Sequence, residues 1–106
     1  MSDIELARKA LASRILEGDG KASRSERGAA FNNSGLAEPL SSLVEKVARQ
    51  ANRVTDEDFA AVRESGLTED QIFEVLVCAA VGESTRQYDR ALAALEAALG
   101  NKTRKD

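Results

Sequence analysis

The sequence predicts an all-α protein, a bundle of about five helices that assembles with copies of itself. Three observations carry this reading. Helix-opening residues recur along the chain, at Ser2, Ser23, Thr55 and Thr68. Leu40, Leu43, Val44, Val47, Ala51 and Val54 fall on one stripe at helical spacing. Between Ile72 and Val81 every residue except Glu74 is apolar or small.

The first helix begins at Ser2, with Glu5 placed to complete a capping box. Ile4, Ala7, Leu11 and Ile15 follow on one face, and Gly18-Asp19-Gly20 ends the helix. Residues 18–23 read as a linker, which leaves this first helix free to dock on a neighbouring subunit. A short second helix is expected from Arg24 to Phe31, opened by Ser23 with Glu26 three residues on, and broken by Asn32-Asn33-Ser34-Gly35. Pro39 suits the first turn of the third helix, where its missing N–H does no harm. The stripe from Leu40 to Val54 predicts that this helix runs on through Ala51.

Thr55 caps the fourth helix, and Asp56, Glu57 and Asp58 sit against its positive dipole end. Phe59 and Val62 are expected to face inward. Gly66 stands where a left-handed residue closes a helix, with Leu67 as its apolar companion. Thr68 and Gln71 then open the longest helix, from Glu69 to about Leu99, with Gly82 as a possible kink. Its first half is apolar around the whole circumference. Four short partners in a small domain cannot surround such a helix, so burial by a second subunit is expected. Leu92, Leu95 and Leu99 supply a looser apolar edge further on. Divided this way, residues 1–23 are an N-terminal helix and linker, 24–100 the helical domain and 101–106 a basic tail.

Composition excludes several function classes. Of 106 residues 42% are hydrophobic and only 4% aromatic, so the core must be built from Leu, Val and Ile. A net charge of −3 gives no footprint for nucleic acid or an anionic membrane. No signal peptide or membrane-spanning run is visible, and a cytoplasmic protein is expected. With no histidine and one cysteine, there is no Ser-His-Asp or Cys-His pair and no ordinary zinc site. Neither metal nor cofactor is expected, and no residue is assigned a catalytic role.

The candidates for chemistry are therefore few. Cys78 is a nucleophile or a small core residue. Its helical neighbours Glu74, Val75, Val81 and Gly82 would raise its pKa, which favours the core. Glu74 is a proton-donating acid or a rim carboxylate paired with an arginine. Glu83 and Arg86, three apart, can pair directly, and with Arg90 they either line a pocket for a small acid or form a structural ion pair. Glu74, Glu83, Arg86 and Arg90 are thus the candidate polar pocket, with Tyr88 a further contact for a small-acid ligand.

One stretch carries more. Residues 54–75, VTDEDFAAVRESGLTEDQIFEV, resemble a segment of the AhpD-like, or carboxymuconolactone decarboxylase, superfamily. Pro39 through Arg53 resemble the preceding helix, and Ala79-Ala80-Val81-Gly82 with Arg86 the following one, so the likeness spans about 24–100. It implies an all-α fold that oligomerises, often as trimers or hexamers. It also implies one of two activities, a peroxidase using a Cys-x-x-Cys pair with glutamate and histidine, or a lactone-acid decarboxylase. The peroxidase residues do not carry over. Val75 and Val81 stand where a second thiol three positions from Cys78 would be, and no histidine follows. The expectation is an oligomeric AhpD-like protein without redox catalysis, acting through assembly or partner binding. The alternative is a divergent decarboxylase-like or peroxidase-like enzyme.

Overall fold

The computed structural model describes residues 3–104. The expected Ser2 cap lies outside them. Five α-helices follow one another: α1 (Asp3–Glu17), α2 (Arg24–Asn32), α3 (Leu40–Arg49), α4 (Asp56–Glu64) and α5 (Glu69–Arg104), with a 3-10 turn at Ala51–Arg53. No strand occurs among the described residues.

The starts of α2, α3, α4 and α5 follow from local chemistry. The Ser23 hydroxyl accepts from the Glu26 N–H at 3.0 Å. Thr55 and Asp58 form a reciprocal capping box, and so do Thr68 and Gln71, with distances of 2.8–3.3 Å. Pro39 caps α3 after a cis peptide bond with Glu38. The Glu38 carboxylate accepts from the Ser42 N–H at 2.8 Å and satisfies one of the donors that Pro39 leaves open. Two ends use left-handed backbone: Asn33 (φ 52°) closes α2, and Gly66 (φ 113°) turns the chain between α4 and α5.

Two boundaries differ from the sequence reading, and one is the end of α5, which runs past Leu99 to Arg104. The stripe through Ala51 and Val54 does not continue as a single helix; α3 stops at Arg49 and Ala51 is exposed. The Thr55–Asp58 box requires an extended Thr55 (φ −122°, ψ 165°), so the chain must leave α3 before it. The 3-10 turn makes that exit, and Val54 still packs against the core.

The core is aliphatic, as a sequence poor in aromatics requires. Leu40, Leu43 and Val44 of α3, Val62 of α4 and Ile72, Val75, Cys78 and Ala79 of α5 are buried together with Ala22 and Ala30. Helix α5 is the spine. It touches all four other helices along its first half. With 36 residues it is about 54 Å long, and the molecule measures 61 × 29 × 20 Å. Its radius of gyration of 16.8 Å exceeds the ~13 Å of a compact chain this size. The excess is the far half of α5, which leaves the bundle with α1 antiparallel beside it: Ile15 lies by Cys78, and Arg8 stacks on Tyr88 at 4.0 Å.

This architecture changes the reading of the apolar run. Within one chain it is not buried all round. Ile72, Val75, Cys78 and Ala79 are buried, Leu76, Val77 and Val81 are half-buried, and Ala80 and Phe73 face out, Phe73 at 69% exposure. The linker also behaves otherwise than expected. Residues 18–23 are docked, with Ala22 in the core and the Lys21 and Ala22 N–H groups held by Glu74.

Candidate functional site

The polar residues singled out from the sequence fall at two places. Glu83, Arg86 and Arg90 meet where α5 crosses the C-terminus of α2. The Arg86 guanidinium donates to the Phe31 carbonyl at 2.5 Å and to Glu83 at 3.5 Å. Arg90 lies 3.7 Å from the other Glu83 oxygen. Glu83 is 7% exposed, so two cations flank a nearly buried carboxylate.

The local fold explains the cluster. Helix α2 ends in a left-handed Asn33, and the Asn33 and Ser34 N–H groups satisfy the Ala30 and Ala29 carbonyls. The Phe31 carbonyl is still open, at the negative end of the α2 dipole. Arg86 supplies a charged donor there. Close approach of the two helices depends on Gly82. A Cβ at Gly82 would lie 2.7 Å from the Phe31 carbonyl carbon and 2.8 Å from its Cα. Gly82 is therefore a contact point, and the apolar circumference around it is the sequence signal for that role.

Glu74 stands apart. Nine residues separate it from Glu83, about 13 Å along the helix. Its carboxylate accepts the Lys21 N–H at 2.8 Å through both oxygens and the Ala22 N–H at 3.4 Å. It fixes the α1–α2 connection. It also borders a shallow cavity of about 250 Å³ with Arg14, Asp19, Arg27, Phe73 and Val77.

Arg27 was not signalled by the sequence. It is 5% exposed and donates from one terminal nitrogen to the Ile15 and Gly18 carbonyls, at 3.2 and 2.7 Å. It thereby caps the C-terminus of α1 from α2. Its Nε makes no hydrogen bond among the described residues. The only hint in sequence is a cation inside the short, alanine-bearing helix 24–31, a pattern shared with many exposed arginines.

Cys78 is fully buried and its Sγ lies 3.5 Å from the Ile15 carbonyl. Burial pushes its thiol pKa up; Arg27 opposes this and Glu74 adds to it. A neutral, enclosed thiol is a poor nucleophile. No group of three or more Cys, Asp or Glu side chains able to hold a metal occurs among the described residues. None of their helices is long and apolar enough to cross a membrane.

An apolar groove of about 510 Å³ runs between α4 and α5 over Phe59, Ile72, Phe73 and Leu76, with the Arg63–Glu69 ion pair at its rim. Asp56 completes its lining, and of the three charged residues there Arg63 and Glu69 are already paired with each other at 3.5 Å. Comparison of the chain with family models, with curated proteins and with solved structures finds no match.

Proposed function

We propose that this chain is a non-redox, AhpD-like helical protein that acts by assembling with copies of itself and by presenting the assembled surface to a partner. The observation that carries the reading is the uncovered side of α5, where Phe73 (69% exposed) and Leu95 (54%) flank exposed Ala80 and Ala91. Uncharged Ser84 and Gln87 interrupt this face, and its large apolar ends are of the kind that mark interaction surfaces. The resemblance of residues 54–75 supports the family reading. In that stretch the Thr55 box, the Gly66 turn and the Thr68 box form one continuous helix–turn–helix unit.

The chemistry of the polar cluster supports assembly over catalysis. Arg86 is engaged with a main-chain carbonyl and Glu83 is held between two arginines, so both already have structural partners. The deciding experiment pairs light scattering with turnover assays. An oligomeric mass is expected, with no turnover of alkyl hydroperoxides in the presence of a dithiol, or of a lactone acid. A saturable activity abolished by Glu83→Gln in a folded variant would reject the reading in favour of an enzyme.

A further inference from the structure

The outward side of α5 carries an uncharged stripe whose two ends are both large and apolar. Phe73, Val77, Ala80, Ser84, Ala91 and Leu95 lie on one stripe. Centred on Ser84, the positions three, four, seven and eleven residues to either side pair Val81 with Gln87, Ala80 with Tyr88, Val77 with Ala91 and Phe73 with Leu95. None is charged. The charged residues of this stretch, Glu74, Glu83, Arg86, Asp89, Arg90 and Glu96, all fall at other helical angles.

We propose that a second copy of the chain docks on this face, antiparallel, with a twofold axis through Ser84. The proposal rests on the assembly reading above and specifies its surface. In an antiparallel helix pair about that axis, each large end residue meets the other kind of large residue, Phe73 against the second copy's Leu95. Each Val77 meets an Ala91. Ser84 sits at the crossing, and each small Ala80 leaves room for the second copy's Tyr88, on whose ring Arg8 of its own α1 stacks. The Ser84 hydroxyl is satisfied within its own helix by the Val81 carbonyl at 3.0 Å, so burying it strands no donor.

Helix α1 widens the same face. Arg14, on the edge of α1 that also carries Leu11, lines one cavity with Phe73 and Val77, so the exposed Ile4 (61%) and Leu11 (48%) lie on that side too. The stripe from Phe73 to Leu95 is about 33 Å long. Two helices 8–10 Å apart make a face about 20 Å wide. The product, about 650 Å², is close to the roughly 800 Å² per partner of a stable interface. The α5 stripe itself is uncharged, with Arg8 and Arg14 of α1 bordering it, and an uncharged apolar stripe inside a face of this size suits a second copy. The product is a four-helix bundle of two α1–α5 pairs, with the α2–α4 bundles at opposite ends.

Charge complementation at the axis tests this. Light scattering of the native chain should give twice the 11.4 kDa subunit mass. Ser84→Glu alone and Ser84→Lys alone should each give monomers, because each places two like charges face to face. An equimolar mixture of the two should return to the dimer mass. Ser84 is exposed, so helical circular dichroism should match the native chain in both variants. A monomeric native chain overturns both this pairing and the assembly reading. A native oligomer that survives Ser84→Glu, has more than two subunits, or is not restored in the mixture overturns the pairing and leaves assembly standing.

Discussion

The two sides of α5 are written in similar residues and do opposite things. Ile72, Val75, Cys78 and Ala79 are each no more than 4% exposed and lock the bundle. One residue along, Phe73 and Ala80 lie open. Hydrophobicity alone does not separate these sets. What separates them is which side the short helices α2, α3 and α4 can reach. A chain that needed only a monomeric fold would gain nothing from the second set, since an exposed Phe contributes little to packing and raises the risk of aggregation.

Substitutions on the two sides should therefore part company. Leu43→Ala, in α3 and in the same buried core as the inner side of α5, should cost about 3 kcal/mol by urea unfolding, because it leaves a cavity that rigid neighbours cannot fill. Gly82→Ala should cost about 2 kcal/mol. The added methyl meets main-chain atoms of Phe31, which cannot swing aside, and this outweighs the ~1 kcal/mol gain in helix propensity. Arg86→Ala should cost about 1.5 kcal/mol, from the lost charged hydrogen bond to the Phe31 carbonyl and a carboxylate left with only Arg90 nearby. Leu95→Ala should change unfolding by less than about 0.5 kcal/mol when measured on dilute monomer. Its effect should appear in the concentration dependence of association. Stability loss comparable to that of Leu43→Ala would show that the outward face belongs to the monomer core.

Acidification gives a smaller and separate test. Asp58 bonds to Lys46 at 2.9 Å and to the Thr55 N–H, and both hold its carboxyl below the usual range. The unfolded chain therefore takes up a proton at a higher pH than the folded one. The stabilisation is present above the ordinary Asp pKa of about 3.9 and is lost as pH falls from there through the folded value. Asp58→Asn should flatten the fall in melting temperature over that window. An unchanged slope would mean the Lys46 contact does not persist in solution.

Much of the fold can be read in the residues because its helix ends use strong local signals. Thr55, Thr68, Ser23 and Gly66 act through bonds to neighbours within three or four positions, so spacing is enough to find them. The end of α3 is harder to read. There a favourable stripe competes with the next helix's cap, and only the geometry of Thr55 decides. The polar residues divide in the same way. Glu83 and Arg86 are three apart and meet as spacing predicts, but Phe31, the group Arg86 serves, is 55 positions away. Glu74 looks like part of the same set in sequence. Its partners, Lys21 and Ala22, come from a segment that carries no sign of being anchored. Arg27 is the least visible, since nothing local marks an arginine that will be buried by a helix preceding it.

That arginine also sets where the chain can be cut. Its charge is shielded on one side by the Ile15 and Gly18 carbonyls, both upstream of the helix that carries it. Proteolysis in the 18–23 segment, followed by loss of the N-terminal piece, would expose a guanidinium beside Cys78 with its acceptors gone. The remainder would then hydrate at its centre, and the buried thiol would become reachable by solvent reagents. Loss of α1 should therefore destabilise the bundle that remains, even though most of that helix lies on the outside.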